Sequence, residues 1–427
     1  MTMKKTDYPA VGETLYSTVL PNGLPIFVIP KPGYRKAFAV LAAHYGGADR
    51  SFVFGGEKIQ SPAGVAHYLE HKMFDTPEGD ALMRMTAAGA DPNAFTSESM
   101  TAYHFECTDR FEENLRTLLS FVSVPYFTQE SVDKERGIIA QEIRMYEDSP
   151  DFAVYTDLMK CLFAHSPLRD SVAGTVESIA EITPELLYSC HRAFYHPSNM
   201  ALCVVGNADP ERVARLAAEI LPPEPAVPPG RDYGPEETPD PVMTGTERTM
   251  EVAAPIFMIG AKLGPFDSGP EEQRERLTAA LALRCLAGRS SPFYLRSYSS
   301  GLLNATFGAD IDYAAGQAVV AFDGETGKDP RLVLDALRDE IVRVGREGLD
   351  PALFERQKKA ALGSRIRALS NFSGLAVGMA DGCFAGFQPM EGFALLGSIT
   401  CDDASAWVRG RLSPERFAMS VVRPKEG

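Results

Sequence analysis

The chain has 427 residues, 45% of them hydrophobic and 23% charged, an ordinary globular composition that is too long for one core and suits two domains of about 200 residues. Its net charge of −15 argues against nucleic acid as a partner, because phosphate binding needs a basic surface. There is no apolar run of about 18 residues to span a membrane, and the opening "MTMKKTDYPAVGETLY" has no apolar segment after its lysines to act as a secretory signal. Seven scattered cysteines without paired spacing suggest reduced thiols and a cytoplasmic location.

In chain order, "TVLPNGLPIFVIP" predicts a strand pair around the turn Pro21-Asn22-Gly23, and "KAFAVLAAHY" a further strand. Ser61-Pro62 reads as an N-cap followed by Pro at the first helical position, opening a helix that runs to about Phe74. A second helix is predicted over 79–89, ending at Gly89. "NAFTSE" and "TAYHFECT" alternate as strands, and 110–123 and 128–148 read as amphipathic helices. Residues 221–242 are rich in proline without apolar periodicity and read as an extended linker. Beyond it, strands are expected at 249–263, 304–312 and 317–324, and helices at 270–288, 330–347 and 351–370. The run 356–367 reads as a solvated helix face. "YHPSNMALCVVGN" (195–207) and "LSPERFAMSVVRP" (412–424) echo one another at the ends of two near-equal halves, which suggests a duplicated domain. The expected fold is therefore α+β: two homologous sandwich-like domains, 1–220 and 243–427, each with a mixed or antiparallel sheet covered by helices, joined by the linker 221–242.

The chemistry concentrates in "SPAGVAHYLEHKMF", residues 61–74, where His67, Glu70 and His71 fall within five positions of a chain with seven histidines. On a helix His67 and His71 project from one face, one turn apart, so both imidazoles can meet one metal ion. Glu70, at the edge of that face, can reach a bound water without being a ligand. A catalytic zinc usually has three protein ligands. Glu135 and Glu142, seven apart in "DKERGIIAQEIRMYEDSP" and two turns apart on one helical face, are candidates for the third, with Ile138 and Ile139 between them as a core-facing pair. The other histidines, His44, His104, His165, His191 and His196, lack metal-like spacing and read as structural or surface residues.

"HYLEH" carries the order of the inverzincin signature, and the chain resembles the pitrilysin (insulinase-like) zinc peptidase family, in the size of its short bacterial processing-peptidase-like members. The resemblance covers most of the first half: the strand pair "LPNGLPIFVIP", the helix "GVAHYLEHKMFDTP", "GADPNAFTSESMTAYHF", "ERGIIAQEIRMYEDSP" and the closing segment through "YHPSNMALCVVGN". It implies one zinc per chain on His67, His71 and Glu142, with Glu70 as general base and Glu135 supporting the site from behind the ligands. It further implies that Asn93, Ala94 and Phe95 lie on a strand edge that receives the substrate backbone.

The family usually carries an Arg followed seven positions later by Tyr in its second domain, where they help hold substrate. Here Arg296 fits the first position, but position 303 is Leu303, and Tyr298 is only two residues on. The resemblance then implies a zinc endopeptidase acting on peptides or unfolded segments inside a two-subunit chamber. This chain would be the catalytic subunit of a heterodimer, and a homologous subunit without zinc would supply the Arg and Tyr. A self-sufficient homodimer and a non-catalytic scaffold are the alternatives.

Overall fold

The computed structural model describes residues 3–266 and 268–425. Strands β1 (Lys4–Tyr8), β2 (Glu13–Val19), β3 (Pro25–Pro30) and β4 (Ala37–Ala43) come first, then the hairpin of β5 (Ser51–Phe54) and β6 (Glu57–Gln60). Helix α1 (Val65–Met73), the short pair β7 (Asp75–Thr76) and β8 (Gly79–Asp80), α2 (Ala81–Ala87), β9 (Ala90–Thr96) and β10 (Thr101–Cys107) follow. Next come α3 (Phe111–Ser123), α4 (Gln129–Glu147), α5 (Pro150–Leu162), α6 (Val176–Ala180), α7 (Pro184–Phe194), β11 (Met200–Gly206), α8 (Pro210–Ile220) and the two-residue β12 (Gly230–Arg231). The second half begins with β13 (Gly245–Met250), β14 (Ile256–Lys262), α9 (Pro270–Leu286), α10 (Pro292–Ser299), β15 (Gly308–Ala314) and β16 (Gln317–Glu325). It closes with α11 (Arg331–Glu347), α12 (Pro351–Ala368), α13 (Phe372–Ala385), α14 (Gly392–Ser398), α15 (Cys401–Arg411) and β17 (Ala418–Pro424).

Two mixed sheets carry the fold. The first runs β1-β2-β3-β11-β4-β10-β9 and the second β13-β17-β14-β16-β15. β11 is parallel to β3 and antiparallel to β4. β17 is likewise parallel to β13 and antiparallel to β14. The five strands of the second sheet thus repeat the order of β3 to β9 in the first. The two echoing segments supply the equivalent central strands, β11 and β17. Both β4 and β11 are buried along their whole length, as expected for strands covered on both faces.

The chain divides into two compact units, and neither is contiguous in sequence. One comprises 1–143, 171–233 and 366–390, the other 144–170, 234–365 and 391–427. Within the first unit, α13, from the second half of the chain, packs on β11 and β4. Within the second, α5, from the first half, packs on the equivalent strands β17 and β14. These units cut across the boundaries suggested by the linker, because each sheet takes one covering helix from the opposite half of the sequence.

Several local expectations need correction. α1 starts at Val65, not after Ser61. Gly64, at φ 96°, makes the entry, while the N–H and Oγ of Ser61 both bond the carbonyl of Arg50 at 2.8 and 3.2 Å. The predicted strand 249–263 is two strands on either side of β17, separated by a turn before Pro255, which has no N–H for a ladder. β15 begins at Gly308 because 304–307 form a turn closed by Asn304 Oδ1, which accepts from Thr306 N at 2.8 Å. Ile139 is fully buried but Ile138 is 47% exposed. Adjacent helical residues sit about 100° apart, so the two do not share the core-facing position.

The proline-rich segment is pinned rather than free. Arg231 Nε donates to buried Asp49 at 2.9 Å, and Lys58 Nζ to Asp232 at 2.7 Å. In the second unit the Glu237 side chain, 4% exposed, accepts from the backbone N–H groups of Ala164, His165 and Ser166 and pairs with buried Lys262 at 3.0 Å. Burial alone would raise the pKa of this carboxyl; the backbone donors and Lys262 outweigh it and bring it to about 2. A folded-state value below the unfolded one stabilises the fold above pH 4.5, and the contribution fades as pH falls toward 2. Glu237→Gln is therefore expected to cost about 3 kcal/mol at neutral pH, with the deficit shrinking below pH 4. Denaturant titrations of both proteins at pH 7 and pH 3 check this, and equal midpoints at pH 7 would refute it.

Candidate metal centre

α1 and the part of α4 up to residue 143, which lie in the first unit, build the centre. His67 and His71 sit one turn apart on α1, their ring centroids 4.7 Å apart. Glu142 of α4 bridges them: its Oε1 lies 3.7 Å from His67 Nε2 and its Oε2 3.4 Å from His71 Nε2. One ligand atom from each of the three falls within 4.8 Å of the others. A tetrahedral zinc with bonds of about 2.0–2.2 Å sets its ligand atoms about 3.3–3.6 Å apart. The histidine–glutamate separations, 3.4 Å to one carboxylate oxygen and 3.7 Å to the other, fall within and just beyond that spacing, and two imidazoles with a carboxylate are a donor set that fits zinc.

The surroundings orient His71. Glu135, two turns before Glu142 on α4, accepts from His71 Nδ1 at 2.9 Å, which leaves Nε2 as the nitrogen turned to the centre. Burial lowers the pKa of His71, but the hydrogen bond to Glu135 and the charges of Glu70, Glu135 and Glu142 outweigh it and raise the value. Burial, and then the charge of His71, push His67 down to about 4, so it is a neutral imidazole at neutral pH, the form that ligates. The Nδ1 of His67 is buried with no hydrogen-bond partner among the described residues.

Glu70 lies on α1 between the two histidines. Burial raises its pKa, against the hydrogen bond it accepts from Thr96. Thr96 Oγ1 donates to Glu70 Oε2 at 2.6 Å. Thr96 is the last residue of β9, the end strand of the first sheet. The register Thr96↔Thr101 and Ala94↔Tyr103 puts Ala94 on the same face as Thr96. Asn93 and Phe95 point to the opposite face, where Phe95 packs near His104. Of the three expected edge residues only Ala94 therefore shares the face of Glu70. The outer Ala94 N–H is met by Asn93 Oδ1 at 2.8 Å. Thr96 is the residue that sequence reasoning missed. Strand alternation from Ala94 carried the signal, since i and i+2 share a face.

Arg296 and Leu303 lie in the second unit. Arg296, on α10, bonds Glu340 of α11 at 2.7 Å, and Leu303 is a core residue. The remaining histidines have other work or none at a metal: His44 stacks on Phe384, and His191 Nε2 bonds the carbonyl of Val122 at 3.1 Å.

Comparison with known proteins agrees with this geometry. The model of the insulinase family (peptidase family M16) matches residues 58–176, and that of the peptidase M16 inactive domain matches 181–361. A Bacillus subtilis (strain 168) protein named "Uncharacterized zinc protease YmfH" is 35% identical over 428 residues, covering 99% of this chain and 100% of the relative. The chain belongs to the M16 peptidase family. A Streptomyces coelicolor relative, "Uncharacterized zinc protease SCO5738", is 26% identical over 96% of this chain and 90% of its own. Among solved structures, an M16-like peptidase from Alicyclobacillus acidocaldarius superposes with a TM-score of 0.93 at 32% identity, covering 98% of this chain and all of that one. A Helicobacter pylori protease shares the fold at TM-score 0.82 and 16% identity, over 96% and 99% of the two chains. The M16 match divides as the motifs do, with the metal-ligand constellation in the first part and the inactive-domain model over the second. No described helix is long and apolar enough to cross a membrane.

Proposed function

We propose that the chain is a zinc-dependent endopeptidase in which His67, His71 and Glu142 hold the metal, Glu70 is the general base and Glu135 orients His71. The observation that carries this is the convergence of two helical imidazoles on one carboxylate of a second helix, with a second, buried carboxylate beside them on the first. Zinc bound there would lower the pKa of a water and polarise a carbonyl. Glu70 takes the proton as the water oxygen joins the scissile carbon, then delivers it to the departing amine nitrogen as the C–N bond breaks. The free edge of β9 can take an extended substrate as an added strand, with Ala94 on the reacting side.

A homologous partner subunit supports this reading better than a lone chain. Leu303 is buried in the core where the family usually carries Tyr, so the chain lacks one of the two residues that would hold a peptide, while Arg296, paired with Glu340, keeps an exposed side chain. The test is cleavage of a pool of unstructured peptides by the zinc-loaded chain, with and without a chelator. About one zinc per chain and chelator-sensitive cleavage are expected, at a low rate in the absence of a partner. Full activity of the chain alone would overturn the heterodimer, and a chain that binds no zinc would overturn the peptidase.

A further inference from the structure

Glu70 is buried and has one neighbour that the ligand set does not explain. Thr96 Oγ1 approaches Glu70 Oε2 at 2.6 Å, a contact that does not engage Oε1. We propose that Thr96 is a positioning residue for the general base, holding Glu70 by Oε2 so that Oε1 alone handles the transferred proton. This rests on the reading of Glu70 as the base.

Counting hydroxyl protons fixes the direction of the contact. Directly across the sheet from Thr96 is buried Thr101. Its Oγ1 lies 2.8 Å from the backbone carbonyl of Tyr45, which can only accept, so the Thr101 proton is committed there. Toward Thr96, at 3.4 Å, Thr101 can offer only lone pairs. The single Thr96 proton then has two acceptors, a hydroxyl at 3.4 Å and a carboxylate at 2.6 Å. The shorter, charge-assisted bond wins. Thr101 is thereby barred from donating to Thr96, and Thr96 is left to serve Glu70.

The arrangement suits both states of the base. As a carboxylate, Glu70 accepts from Thr96 at Oε2. When water gives up a proton to Oε1, Oε2 becomes the carbonyl oxygen of the acid and still accepts from the same hydroxyl. The side chain need not rotate between taking the proton and handing it to the amine, which keeps the reacting atoms in register. The base sits on α1 and its positioner on the end strand β9, so the same strand that can receive a substrate backbone also sets the base.

The test uses the full zinc-loaded chain. Thr96→Val keeps the β-branched shape suited to a strand and removes the hydroxyl; Thr96→Ser keeps the hydroxyl. Thr96→Val should lower kcat about 10–100-fold, the worth of one hydrogen bond to a charged group. KM and zinc content should change less than about twofold, and Thr96→Ser should restore kcat to within about threefold of the original. Loss in Thr96→Ser as deep as in Thr96→Val would assign the effect to strand packing, and a raised KM with kcat intact would assign Thr96 to substrate; either overturns the proposal. If the unsubstituted chain binds zinc but cleaves nothing for want of a partner, crystal structures of the zinc-loaded proteins still decide the point, whereas a chain that binds no zinc overturns the peptidase reading itself. Glu70 should leave its rotamer in Thr96→Val and keep it in Thr96→Ser; an unmoved Glu70 in Thr96→Val overturns the proposal.

Discussion

Glu70→Gln is expected to leave about one zinc per chain and to lower kcat/KM for peptide hydrolysis by about 10²–10⁴-fold, the usual contribution of a positioned base. The amide is nearly isosteric, so the packing of α1 is preserved. It cannot take a proton from water, and it removes a buried charge rather than adding one. The metal should stay because its proposed ligands, His67, His71 and Glu142, are untouched, and the hydrogen bond that His71 donates to Glu135 still orients the ring. Removing the buried Glu70 carboxylate, whose pKa burial already raises, should leave the fold as stable or slightly more so. Zinc analysis, turnover and a melting curve on the same preparation check all three points. Turnover within a few-fold of the original would remove Glu70 from the mechanism.

The second large effect is expected far from any ligand atom. Gly64→Ala should destabilise the fold by about 2–5 kcal/mol and weaken zinc binding with it. Gly64 sits at φ 96°, a left-handed conformation that costs a residue with a side chain about 1–2 kcal/mol. A Cβ there would also lie 2.6 Å from the Ala173 carbonyl oxygen and 2.9 Å from a methyl of Ile179; forcing such overlap costs about 1–3 kcal/mol. The neighbouring backbone cannot retreat easily, because Ser178 Oγ donates to the Ala63 carbonyl at 2.8 Å and a Cβ on Gly174 would meet that same oxygen at 2.4 Å. His67 lies only three residues beyond this crossing. A displaced first turn of α1 would move one imidazole away from Glu142. Denaturation with and without zinc measures both terms, and an unchanged midpoint would show that the entry to α1 is slack.

These cases mark what the sequence could and could not reveal. The spacing of His67, Glu70 and His71 was legible because a helix converts intervals of three and four into one face, whatever surrounds it. Glu135 and Glu142 were legible as a same-face pair, but their distinct contacts depend on how α4 lies against α1. Gly64 was visible as a glycine, yet the segment around Ala173 that requires it lies about a hundred residues away. Ser61-Pro62 has the local chemistry of a helix start, and long-range contacts to Arg50 override it. The strand predicted at 249–263 failed for a similar reason: its two pieces answer to different sides of β17, a strand near the end of the chain. Thr96 was within reach, since alternation from Ala94 points to it, but only the closeness of Oγ1 to Glu70 gives it a task.

The exchange of α5 and α13 between the sheets has a consequence for how the protein is made. A ribosome finishes β1 through β11 while the helix that covers β4 and β11 is still some 170 residues from synthesis. The apolar strands of that sheet therefore wait, exposed on one side, until nearly the whole chain has emerged. α5 is made early and has no sheet to rest on until β14 and β17 appear. The repeat looks like two modules written one after the other, but neither module is complete in its own stretch of message. Such a chain matures late and all together, and nascent forms halted near the middle are the ones that need protection from aggregation.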